Sequence, residues 1–114
     1  MGEFSKRTGK LIRDWAVIAH EREMARELGR LEEKFAAWRR GEMGTWDLNE
    51  AIHEHHSKTA RELHSRYNYE RTPLYGVIYA INFGVLRPDE APELRREFAS
   101  LIQRPRRGSN QVPD

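Results

Sequence analysis

A polar interruption, His20-Glu21-Arg22-Glu23, separates two apolar stripes in a segment with the periodicity of one long helix. At about 100° per residue, Leu11, Trp15 and Ile18 share one face, which we call the first stripe, with Ala25 following and Ile12 and Ala19 at its edge. The second stripe lies on a nearly opposite face and comprises Val17, Met24, Leu28, Leu31, Phe35 and Trp38. A single helix with both stripes has two surfaces to bury, and a chain of 114 residues covers only one of them well.

Either the helix breaks near His20 or it continues and presents two faces. The interruption contains no Gly or Pro, and Glu and Arg are good helix formers. We therefore predict one continuous helix from about Ser5 or Thr8 to Arg40. Two glycines in the segment 41–45 then predict a stop and a turn.

The second predicted helix begins with a capping signal. Asp47 followed by Glu50 matches a capping box, which predicts Asp47 as the N-cap of a helix that ends near Tyr67. A short turn between two amphipathic helices indicates an antiparallel hairpin.

Two shorter helices are predicted after a loop from Asn68 to Pro73. The first opens at Pro73, is apolar nearly all round and closes at Gly84, which predicts the most buried element. The second starts at Pro88-Asp89 with Asp89 as its cap. We predict an all-α fold, a long antiparallel helical hairpin followed by two short helices. It would form one domain over residues 1–103, with a disordered tail over residues 104–114.

The composition excludes several classes of protein. There is no cysteine, which rules out disulfides, cysteine-bound zinc and thiol nucleophiles and is typical of a reducing, cytoplasmic setting. No apolar run approaches the roughly 20 residues of a membrane helix, and no signal-peptide core follows the N-terminus. Residues 1–4 have the form of a cloning-vector remnant. Hydrophobic residues are 38% of the chain and charged residues 33%, which favours a helical fold that completes its core by association.

Several short segments resemble a group of small bacterial helical proteins that has no assigned activity. The matching segments are residues 35–42, 46–48, 52–56, 60–63, Tyr67, 79–81 and Gly84. The resemblance covers about Met24 to Ile102. It implies the helical order and a bacterial source, and it carries no function.

The histidines are the first candidates for chemistry. His53 and His56 are three residues apart, a spacing less favourable for one metal ion than the four-residue spacing of helical zinc sites. His53 also pairs with Glu50 as a di-iron half-site, although Glu50 is predicted to face water. We therefore expect no metal and no cofactor, with His53 and His56 as weak candidate ligands.

A second catalytic pattern places Arg13 and His20 two helical turns apart. This spacing resembles the active-site pair of the HEPN class of helical ribonucleases, in which the His would act on the ribose 2′-hydroxyl. In that class the pair lies late in the chain, whereas here it lies in the first helix. Basic residues at both ends of the chain make nucleic acid a possible but disfavoured partner, since the first helix mixes both charge signs.

The first stripe is the strongest candidate for a binding site. Trp15 framed by Leu11 and Ile18, with basic residues around them, has the composition of an interface anchor. Packing inside the monomer against one of the short helices is the alternative. We expect a non-enzymatic protein–protein interaction protein, a homodimer without membrane association. A small metal-dependent or RNA-cleaving enzyme that uses His20, His53 or His56 is the other hypothesis.

Overall fold

The computed structural model describes residues 4–68 and 72–102. Its helices are α1 (Lys6–Arg39), α2 (Thr45–Glu54), α3 (Ala60–Arg66), α4 (Leu74–Asn82) and α5 (Pro92–Glu97), with a π-helical turn (His55–Thr59) and a final 3-10 turn (Ala99–Leu101). The described residues contain no strand. The predicted all-α class is therefore confirmed. The predicted tail from residue 104 onwards lies outside the described residues.

α1 is one unbroken helix of 34 residues that passes straight through the polar interruption. It begins where the side chain of Ser5 accepts a hydrogen bond from the backbone N–H of Thr8 at 3.0 Å. At its far end the indole N–H of Trp38 donates to the hydroxyl of Thr45 at 3.1 Å, which ties α1 to the start of α2.

The hydrophobic core lies between the N-terminal half of α1 and the segment from α4 to α5. Ile12, Ala16 and Ala19 of α1 are almost completely buried there. The core is completed by Tyr67, Leu74, Val77, Ile78, Ala80, Ile81, Val85, Leu86, Ala91 and Leu94. Ile12 and Ala19 were expected only at the edge of the first stripe, and Ala16 between them was not predicted in either stripe. The two alanines allow α4 to approach α1 closely.

The predicted start of the second helix is wrong. α2 begins at Thr45 with Gly44 at the N-cap position, and no side chain caps it. Asp47 lies within the first turn, where its carboxylate still interacts favourably with the positive end of the helix dipole. The helix starts earlier than the capping box predicts because the backbone N–H of Leu48 already bonds to the carbonyl of Gly44.

The π-helical turn between α2 and α3 changes which residues share a face. Ala51 and Leu63 are both buried, yet in a regular α-helix residues twelve apart point about 120° away from each other. A π turn accommodates about one extra residue, which brings the two side chains to within about 20°. Both can therefore face the body of the protein, and α2 and α3 each pack against α1.

α4 opens after Pro73 and is the most buried helix, as predicted. Gly84, with φ of 79°, follows its end in a left-handed conformation suited to glycine. The predicted cap at Asp89 is wrong, because α5 begins at Pro92 with Ala91 in the N-cap position. The chain turns through residues 88–91 before the helix starts, and Ala91 has a φ of 56°.

None of the helices in the described part of the chain has the combination of length and apolar character that crossing a membrane requires.

Candidate interaction surface

The second stripe runs along an open side of α1. Val17 is 54% exposed, Leu28 is 49% exposed and Trp38 is 39% exposed, so apolar surface reaches water along most of this side of the helix. Met24, Leu31 and Phe35 lie between them and are half-buried. No other element of the described chain covers these residues fully, so α1 keeps a partly exposed apolar strip about 32 Å long.

Two shallow grooves follow this strip and meet at Leu28. One is lined by Val17, His20, Glu21, Met24, Ala25 and Leu28. The other is lined by Leu28, Leu31, Glu32, Phe35 and Arg39. Every lining residue belongs to α1, so the grooves are the spaces between successive side chains of one helix. This is the surface into which side chains of a second helix pack.

The predicted anchors of the first stripe occupy two different environments. Leu11 and Trp15 are half-buried and pack against the hydrophobic core. Ile18 is 36% exposed. The structure therefore does not present the three side chains as one exposed patch, and their role in partner binding stays a prediction.

The polar interruption forms a buried cluster with the end of α3. The hydroxyl of Tyr67, which is completely buried, donates to a carboxylate oxygen of Glu23 at 2.6 Å. The guanidinium of Arg66 donates to the other oxygen of the same carboxylate and lies over the ring of Tyr79. Glu23 is thus a buried charge with an opposite charge and a hydroxyl as partners, the condition under which such burial is tolerated.

His20 lies beside this cluster and stacks on the ring of Tyr67, with centroids 5.2 Å apart. Burial lowers the pKa of His20, the nearby His64 lowers it further, and the carboxylate of Glu23 acts in the opposite direction. Burial therefore favours neutral His20.

Arg22 of the interruption makes a second, partly buried ion pair. Its guanidinium donates two hydrogen bonds to the carboxylate of Glu90, at 2.7 and 2.8 Å, and a third to the carbonyl of Val85 at 3.1 Å. The bond from Arg22, followed by one from the backbone N–H of Arg87, lowers the pKa of Glu90 to about 2. The interruption thus joins α1 to α3 through Glu23 and to the turn before α5 through Arg22.

The remaining histidines lie on the π-helical turn, α2 and α3, and His55 among them is half-buried in a groove shared with α1. His53 and His56 are exposed, and Arg13, the proposed partner of His20, is also exposed. Over residues 4–68 and 72–102, no three His, Cys, Asp or Glu side chains come together as a potential metal site. Sequence reasoning did not anticipate Tyr67 and Arg66 as partners of Glu23, because the contact joins residues more than 40 positions apart.

No family model matches the chain, and neither the curated proteins nor the solved structures contain a match to it. The resemblance to small bacterial helical proteins therefore stays an expectation.

Proposed function

We propose that this chain is a non-enzymatic protein–protein interaction protein that associates as a homodimer, in a regulatory role in a bacterial cytoplasm. The observation that supports the proposal is the second stripe on α1, an apolar strip that the described chain leaves partly in water. The bacterial and cytoplasmic parts rest only on the resemblance and on the absence of cysteine.

Apolar surface that stays in contact with water is unfavourable in free energy. Burying such surface is favourable by about 25 cal/mol per Å², and monomeric proteins rarely keep a continuous strip of it exposed. The long hairpin, formed by α1 with α2 and α3, is part of this proposal, because it holds the strip on a rigid helix. A rigid surface loses little conformational entropy when a partner binds.

The first stripe contributes through Ile18, whose side chain is 36% exposed on α1. Leu11 and Trp15 are half-buried against the core, and in this proposal their exposed parts also contact the partner. Trp15→Ala should weaken association, but it also removes contacts with the core. A residue of the second stripe is therefore the cleaner probe.

Light scattering after size exclusion tests the proposal. We expect a dimer for the unchanged protein and a shift towards monomer for Leu28→Lys, with the helical content retained because Leu28 is half exposed. Tyr75→Lys is the matched control, since Tyr75 is a large side chain that is 72% exposed on α4. A monomer at all concentrations for the unchanged protein would contradict the proposal, and so would equal weakening by both variants.

The enzyme hypothesis is tested on the same preparation. It requires that replacing His20, His53 or His56 by Ala abolishes RNA cleavage or removes a stoichiometric metal, with dimerisation unchanged. Elemental analysis and an RNA cleavage assay measure both properties. If the protein cleaves RNA or holds a stoichiometric metal, and a histidine variant loses that property, the enzyme hypothesis replaces the interaction proposal.

A further inference from the structure

We propose that two copies of α1 pair antiparallel through the second stripe, with the two-fold axis between Gly29 and Arg30. This inference rests on the proposed function, because it names the geometry of the dimer formed there. It is carried by the spacing of the apolar residues and by the charges that border them on α1.

The second stripe has the spacing of a coiled-coil seam. Positions 17, 21, 24, 28, 31, 35 and 38 alternate steps of four and three residues. All are apolar except Glu21. The intramolecular neighbours leave most of this side exposed, since Ile12, Ala16 and Ala19 face the core, and only Leu31 and Trp38 of the seam adjoin α2. Glu23 faces α3.

A parallel pair in register would bring like charges together. The seam residue Glu21 would face its own copy inside the contact. Glu27 would lie against the partner's Glu32, and Lys34 against the partner's Arg39, because flanking residues five positions apart pair in parallel coiled coils. The two flanking contacts would each occur twice and the contact of Glu21 with its copy once, so the parallel arrangement is opposed at five places.

The antiparallel arrangement places apolar side chains opposite one another. With the axis between residues 29 and 30, Leu28 meets the partner's Leu31, and Met24 meets the partner's Phe35. Both contacts occur twice, which makes four consecutive apolar layers. Glu21 moves to the ends of the contact, where water can reach its carboxylate.

The bordering charges become complementary in the same register. Glu27, which also forms an ion pair with Arg30 of its own helix, lies against the partner's Lys34, and the symmetric contact repeats it. Sliding the pair by one heptad would instead place Glu27 against the partner's Glu27 and Glu21 against the partner's Leu31. The charges therefore select the orientation and also the register.

A charge exchange tests the orientation. Glu27→Lys places two positive charges together in the antiparallel dimer, so we expect its dissociation constant to rise about tenfold. The double variant with Lys34→Glu restores opposite charges and should bring the constant back towards that of the unchanged protein. In a parallel dimer both changes would create attraction, so tighter binding of Glu27→Lys would overturn the inference. Glu33→Lys makes the same charge change outside the contact and is the control.

Distances between spin labels give a second, independent test. The chain has no cysteine, so Arg13→Cys and Glu33→Cys each accept one label per copy. In the antiparallel dimer the labels at position 13 lie about 50 Å apart along the axis and those at position 33 about 10 Å apart. In a parallel dimer the axial separation is near zero at both positions.

The two tests separate the inference from the proposed function. A protein that remains monomeric, with no dipolar signal from either labelled variant, contradicts both. A dimer with labels at position 13 within about 25 Å supports self-association but overturns the antiparallel pairing. A dimer with a long distance at position 13, together with rescue by the double charge variant, supports both.

Discussion

Replacing Gly76 by Ala should destabilise the protein, because α4 crosses the end of α3 with no space for a side chain. A Cβ at position 76 would lie 2.5 Å from the carbonyl oxygen of Arg66 and 2.6 Å from Cδ1 of Tyr67. The first atom is backbone, and the second belongs to a completely buried ring that Glu23 holds by a hydrogen bond. Neither can move without shifting a helix.

The magnitude follows from two opposing effects. Overpacking of this kind costs about 1–3 kcal/mol, and contact with backbone places this site in the upper part of that range. Helix propensity favours Ala over Gly by about 1 kcal/mol. The net loss is about 1–2 kcal/mol, which corresponds to a fall in Tm of roughly 5–15 °C for a domain of this size.

Gly29→Ala is the matched control within the same protein. Gly29 is also helical, and a Cβ there would meet nothing within 4 Å. We expect a gain of about 0.5–1 kcal/mol, since only the helix-propensity effect remains. Thermal melts followed by circular dichroism, at one protein concentration because association adds to stability, measure both variants. A Tm for Gly76→Ala at or above that of the unchanged protein would refute the close approach of α4 to α3.

Three further predictions concern the polar interruption. Tyr67→Phe should lower the free energy of unfolding by about 1–3 kcal/mol, measured by urea denaturation, because it removes a hydroxyl donor from the buried carboxylate of Glu23. The pKa of Glu90 is lower in the folded protein than the ordinary 4.5, so the unfolded chain takes up this proton first and stability should fall between about pH 4.5 and about pH 2. Glu90→Gln should flatten the stability curve in this range, and an unchanged slope would contradict the pairing with Arg22. The pKa of His20 is likewise lowered, so stability should fall as the pH drops below the ordinary 6.5, and His20→Gln should remove that dependence.

Local patterns predicted the helices better than their ends. The continuity of α1 followed from the absence of Gly and Pro near His20, and α4 followed from its apolar run between Pro73 and Gly84. The starts predicted at Asp47 and Asp89 were wrong. A capping residue is a local preference of about 1 kcal/mol, which backbone hydrogen bonds and packing of the neighbouring turn can exceed.

The same limit applied to the shared face of α2 and α3. Regular periodicity placed Ile52 with Leu63, whereas the structure buries Ala51 and leaves Ile52 38% exposed. The π turn at His55–Thr59 causes the difference. No residue type in that segment predicts a π turn. The π turn depends on the contacts that α2 and α3 make on either side of it.

The sequence by itself determined that α1 is long, helical and apolar on two faces, because these properties depend on the residue order within a few turns. Only the tertiary structure decided which face is covered. α4 packs on Ile12, Ala16 and Ala19, and the ion pairs of Arg22 and Glu23 fix α1 in that rotation. Those partners lie 43 to 68 positions away along the chain, so their pairing depends on the whole fold. The second stripe remains partly exposed because the core packs against the opposite side of the helix.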